Sequence, residues 1–157
     1  MAQQESNIFQ PILARLGEAI GIPDLALDEA SACMLEIDGQ LFSLQWSEEA
    51  KTAHLYAVVG AAEHGPRALP LYTALLEANC LGRDTGGLAL GLHAELDSIV
   101  LSGQVFSGNL EGDALYRYLE CFVGQAKDWT RRIQEILTDA PEAAPSPLEG
   151  GWPGLRI

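Results

Sequence analysis

Residues 68–81 are apolar on nearly every side when wound as a helix, and this constrains the chain more than any other stretch. At about 100° per residue, Leu69, Tyr72, Leu76 and Cys80 make one stripe. Leu71, Ala74, Leu75, Ala78 and Leu81 make another on the far side, with only Thr73 and Glu77 as a polar strip between them. A helix apolar on both sides has to be covered on both. One small domain's sheet covers one side, so the pattern predicts a homodimer. The expected interface residues are Leu71, Ala74, Leu75 and Ala78, joined by Leu88 and Leu90 of the strand that follows.

The flanking patterns place this helix in an α+β domain. Ile8, Ile12, Leu13, Leu16 and Ile20 recur at three- and four-residue spacing, predicting a helix over residues 7–20, capped by Ser6 or Asn7 and stopped by Gly21 and Pro23. Cys33, Leu35 and Ile37 then alternate with Met34 and Glu36, and Asp38-Gly39 is a hairpin signal. Phe42, Leu44 and Trp46 alternate in a second strand, and residues 52–59 read as a third, giving an antiparallel meander. After the helix and a glycine-bearing turn come strands over 88–92 and 99–106. A long amphipathic helix over 113–137 turns Leu115, Tyr118, Leu119, Phe122, Ala126, Trp129, Ile133 and Leu137 inward. The order is α-β-β-β-α-β-β-α, with a mostly antiparallel twisted sheet and helices packed on it. Residues 1–137 read as one domain, and residues 138–157, rich in Pro and Gly, as a flexible tail.

Composition limits the partners. Nine Lys+Arg against 22 Asp+Glu give a formal charge of −13, which argues against nucleic acid and anionic membrane surfaces, since both call for basic patches. The chain is nevertheless 48% apolar, too hydrophobic for a disordered acidic protein. Its charge fits a molecule that stays in solution while leaving apolar surface open to a partner, and equally the acidic composition common among bacterial cytosolic domains. Cys33, Cys80 and Cys121 are dispersed, as expected of reduced cytosolic thiols. No secretory signal and no membrane-spanning run is visible, so a cytoplasmic location is expected.

A search for catalytic chemistry finds none. Gly60-x4-Gly65 has phosphate-loop glycine spacing, but Pro66-Arg67 replaces the Lys-Ser/Thr that contacts phosphate and magnesium. His54, His64 and His93 lie on separate elements without a second His or Cys at ligand spacing. No thiol has a local activating base. The carboxylates Glu48, Glu49, Glu95, Asp97, Glu111 and Asp113 sit in turns and at element ends, as solvated surface does. Neither a metal, nor a cofactor, nor an enzymatic activity is expected.

Four stretches carry a family resemblance. They are Leu16-Gly17-Glu18-Ala19-Ile20-Gly21-Ile22, Cys33-Met34-Leu35-Glu36-Ile37-Asp38, Leu75-Leu76-Glu77-Ala78-Asn79 followed by Gly87-Leu88-Ala89-Leu90-Gly91-Leu92, and Phe122-Val123-Gly124-Gln125-Ala126-Lys127-Asp128-Trp129. In this order and spacing, over residues 7–137, the chain resembles the class I type III secretion chaperones, the Tir-chaperone-like family. The resemblance implies a homodimer without enzymatic activity. Such a dimer binds the N-terminal segment of a secreted effector, keeps it soluble and delivers it to the secretion apparatus, with the secretion ATPase as a further partner. An extended segment can add to a sheet edge while its side chains fill pockets. The candidate effector-binding residues are Ile8, Ile12, Leu16, Leu35, Leu44 and Trp46, each of which also fits a core role. The alternative function is a regulatory protein of the same fold that sequesters a transcriptional regulator or another chaperone.

Overall fold

The computed structural model describes residues 8–110 and 113–139. Its elements follow the expected order: α1 (Gln10–Ile20), β1 (Ala32–Ile37), β2 (Gln40–Ser47), β3 (Thr52–Ala61), α2 (Ala68–Asn79), β4 (Ala89–His93), β5 (Ser98–Phe106) and α3 (Ala114–Asp139). The five strands make one sheet in the order β1-β2-β3-β5-β4, and every pair is antiparallel. The α+β reading therefore holds.

Register begins at the β1–β2 turn. Asp38 and Gly39 both take positive φ, 52° and 78°, the two-residue hairpin geometry whose twist matches the flanking strands. Ile37 is thereby set opposite Gln40, and Leu35 and Cys33 fall opposite Phe42 and Leu44 on the buried face. That face continues through Leu55 and Ala57 of β3, Leu101 of β5 and Leu90 of β4.

The helices cover this face only. On α3, Leu115, Leu119, Phe122, Ala126, Trp129 and Ile133 are buried as expected, while Tyr118 and Leu137 are half-buried against the core. Their spacing keeps one stripe on the sheet. Phe42 and Phe122 meet edge to face with centroids 6.1 Å apart. At the far end Phe9 stacks on Trp46 at 4.5 Å. Gly103 on β5 has no room for a side chain, because a Cβ there would overlap the Tyr118 hydroxyl and come 2.6 Å from Leu88 Cδ2.

β3 runs two residues further than expected, to Ala61, and three helix ends differ. The first helix begins at Gln10, with Phe9 in the cap position and no side-chain cap bond; Ser6 and Asn7 lie outside the described residues. α2 ends at Asn79 because Cys80 turns to an extended conformation and Leu81 takes φ 59°, so Leu81 leaves the helical stripe and is exposed. α3 runs on to Asp139, two residues into the expected tail; the remainder of the tail, 140–157, is outside the described residues.

Candidate functional site

β1 lies at one edge of the sheet. The tight turn makes Ile37 and Gln40 a hydrogen-bonded pair, so Cys33, Leu35 and Ile37 bond to β2. The Trp46 amide donating to the Ser31 carbonyl at 2.8 Å continues the same alternation. The backbone N–H and C=O groups of Ala32, Met34 and Glu36 consequently point away from the sheet.

Apolar hollows lie on both sides of this edge. On the helix side, Ile20, Ile22, Ile37, Tyr116, Leu119 and Val123 line a cleft of about 410 Å³ with Glu36 and Glu120 at its rim. On the open face of the sheet, Met34, Leu41, Ser43, Tyr56 and Val58 line a shallow hollow of about 620 Å³. Met34 and Leu41 are 64% and 55% exposed, a large apolar area for a position that a solvated sheet face would fill with polar residues.

The expected groove residues divide. Leu16, Leu35, Leu44 and Trp46 are buried within the protomer, so their core role is the one the packing takes. Trp46 is held by its stack on Phe9 and by donating its indole N–H to Glu48 Oε2 at 2.6 Å. Ile8 and Ile12 alone of the six keep accessible surface. The residues that line the edge instead are Ile20, Ile22, Met34, Ile37, Leu41, Tyr116 and Val123. A signal for two of them was present: Met34 and Leu41 are large apolar residues on the side of the alternation that should be polar.

The α2 interface assignment also requires correction. Leu71, Leu75 and Ala78 are buried inside the protomer, as is Leu90, while Ala74 and Leu88 are half-buried. These residues fill the space between α2, the sheet and α3, so their stripe is committed to the protomer's own core. The open stripe is the other one, with Leu69 54% and Leu76 71% exposed, continued by Leu81 beyond the helix end.

Electrostatics at these surfaces are mild. Lys51 and the Trp46 indole hold the Glu48 carboxyl below its ordinary range by hydrogen bonding. Burial pushes the Cys33 thiol upward, which keeps it protonated and unreactive. His64 Nε2 and Asp97 Oδ1 form an exposed 2.7 Å pair between two loops. Among the described residues there is no group of three or more His, Cys, Asp or Glu side chains placed to hold a metal ion. No described helix is long and apolar enough to cross a membrane.

Comparison with known proteins decides the family. The model of the Tir chaperone protein (CesT) family matches residues 11–130, from α1 through most of α3. The chain belongs to the CesT family. A protein of Chlamydia pneumoniae is 33% identical over 75 residues, which cover 48% of this chain and 56% of that relative, so the match spans little more than half of its length. Two solved structures share the CesT-family fold seen here. The ExsC–ExsE complex superposes with a TM-score of 0.67 at 22% identity, covering 78% of this chain and 91% of that one. The Yersinia pestis type III secretion chaperone SycH, solved with a stable fragment of YscM2, gives a TM-score of 0.62 at 17% identity, covering 77% and 98%.

Proposed function

We propose that this CesT-family protein is a type III secretion chaperone that holds an extended segment of a secreted protein along the β1 edge and acts as a homodimer. The observation that carries the reading is a strand edge, open at Met34 and Glu36 among the described residues, running between two apolar hollows. A segment laid there gains backbone hydrogen bonds to the outward groups of β1 and buries alternate side chains in the cleft and the open-face hollow. Such a segment, left in water, is aggregation-prone; sequestering it keeps the secreted protein soluble until it is handed to the secretion apparatus. This action needs no covalent step, cofactor or metal. The YscM2 fragment bound to SycH is a parallel on the same fold.

The dimer part of the proposal rests on the open α2 stripe. Leu69 and Leu76 stand in a row on a helix whose opposite side is already packed. A second copy supplies an identical stripe, which closes both in a symmetric pair.

The test is affinity purification of the full chain from its native host, with mass spectrometry of what is retained, beside the variant Met34→Arg. A secreted protein retained by the wild type and lost from the folded variant supports the reading. Retention of a transcriptional regulator or of another chaperone replaces it with the sequestering alternative. Retention unchanged by Met34→Arg places binding off the β1 edge and overturns the site.

A further inference from the structure

Both edges of the sheet are partly closed by a single residue that imitates a neighbouring strand. At β1, Asp28 donates its backbone N–H to the Ala32 carbonyl at 2.8 Å and accepts the Ala32 N–H on its carboxylate at 2.9 Å. The same carboxylate accepts the Ala30 N–H, which ties it to the loop before β1. At β4, Asn79 gives its amide N–H to the Leu90 carbonyl at 2.8 Å and takes the Leu90 N–H at 2.9 Å. Each residue satisfies one outward-facing pair of backbone groups as a paired strand would.

The plugs leave unequal windows. β4 keeps one outward-facing residue beyond its plug, Leu92, whereas β1 keeps two in succession, Met34 and Glu36. Two successive residues offer the repeated N–H and C=O pairs that a short strand needs. The charge around the β1 window is one-sided. Lys127 already pairs with Asp38, while neither Glu36 nor Glu120 has an ion pair among the described residues.

We propose that Asp28 is a register-setting residue, confining a bound strand to Met34 and Glu36, and that the strand alternates an apolar side chain in the Ile20–Ile37 cleft with a basic one over Met34 and Glu36. This deepens the segment-binding reading above and rests on it. The stem of a Lys or Arg lies along the Met34 side chain while its head meets Glu36. The plug makes pairing beyond Met34 cost the two hydrogen bonds that Asp28 already makes.

The test uses the full chain with an eight-residue peptide of alternating valine and lysine, and a counterpart with glutamate for lysine, followed by amide hydrogen exchange. With the valine–lysine peptide at about ten times its Kd, the Met34 and Glu36 amides slow about tenfold, the Ala32 amide does not change, and the glutamate peptide binds at least tenfold more weakly. In Asp28→Ala the Ala32 amide exchanges freely and becomes protected by the peptide, whereas Asp28→Asn, which keeps the side-chain oxygen, behaves as wild type. Binding with protection elsewhere, or with the Ala32 amide slowed further in the wild type, overturns the register proposal and leaves segment binding standing. Equal affinity for both peptides overturns its charge component. No binding of either peptide at about millimolar concentration, ~4 kcal/mol of affinity, overturns the register proposal and the β1 reading together.

Discussion

Leu76→Asp and Leu71→Asp sit on opposite sides of α2 and should fail in opposite ways. Leu76 is 71% exposed in the protomer, and fully burying a leucine is worth about 1.5–3 kcal/mol. Covering what remains exposed is therefore worth about 1–2 kcal/mol per subunit. A symmetric dimer contains the contact twice, so Leu76→Asp weakens it by about 2–4 kcal/mol, roughly 30- to 700-fold in Kd. Desolvating the new carboxylate adds to this. The fold itself is untouched, because the aspartate points into water. Leu71 is wholly buried within the protomer. Its replacement removes a core leucine, at about 2–5 kcal/mol, and buries a charge without a partner. Against a total stability of about 5–15 kcal/mol, that unfolds most of the population. Sedimentation velocity and far-UV circular dichroism on both variants, at one concentration, separate these outcomes. Leu76→Asp should be a folded monomer, and Leu71→Asp should lose its helical signal. A folded, merely monomeric Leu71→Asp would return the interface to the stripe that the sequence pattern first suggested. An unaltered dimer in Leu76→Asp would refute the open-stripe reasoning.

Three further outcomes follow from the packing and the hydrogen bonds. Gly103→Ala should destabilise by about 1–3 kcal/mol, since its Cβ overlaps the Tyr118 hydroxyl; Tyr118→Phe in that background should recover part of the loss, and a urea double-mutant cycle without coupling would contradict this. The Glu48 carboxyl is held below its ordinary value near 4.5 by Lys51 and Trp46. Because the folded value is the lower one, its stabilising contribution is present above pH 4.5 and is lost as pH falls through the folded value. Side-chain carbon NMR should place the Glu48 midpoint below 4.5 and show it rising in Lys51→Met; a midpoint that ignores Lys51→Met removes the lysine from the account. Thr85 is wholly buried and its hydroxyl has no hydrogen-bond partner among the described residues, so isosteric Thr85→Val should be neutral or stabilising by up to about 1 kcal/mol, and a loss of stability by calorimetry would reveal a hidden partner.

The element order, the antiparallel hairpins and the buried stripe of α3 were all legible in the sequence. They depend on local regularities: a period of two around Asp38-Gly39, a period near 3.6 from Leu115 to Ile133, and a glycine of positive φ at the end of α1 (Gly21) and in the first hairpin (Gly39). What pattern could not settle was direction. α2 carries two apolar stripes of similar strength, and periodicity gives the angle between them without saying which one meets the sheet. That choice is made by the space above β4 and beside α3, which Leu71, Leu75 and Ala78 fill, leaving Leu69 and Leu76 outside. The same holds for β1 and β2. Alternation marked Leu35, Leu44 and Trp46 as one face, but only the helices laid on that face turned it into core and left Met34 and Leu41 open. The Asp28 and Asn79 plugs lie further still from any sequence signal. Asp28 lies in the loop before β1 and Asn79 is the last residue of α2, and no local pattern distinguishes either. Their role at the sheet edges exists only once the strand order has put β1 and β4 on the outside, where unpaired backbone groups have no strand to meet them.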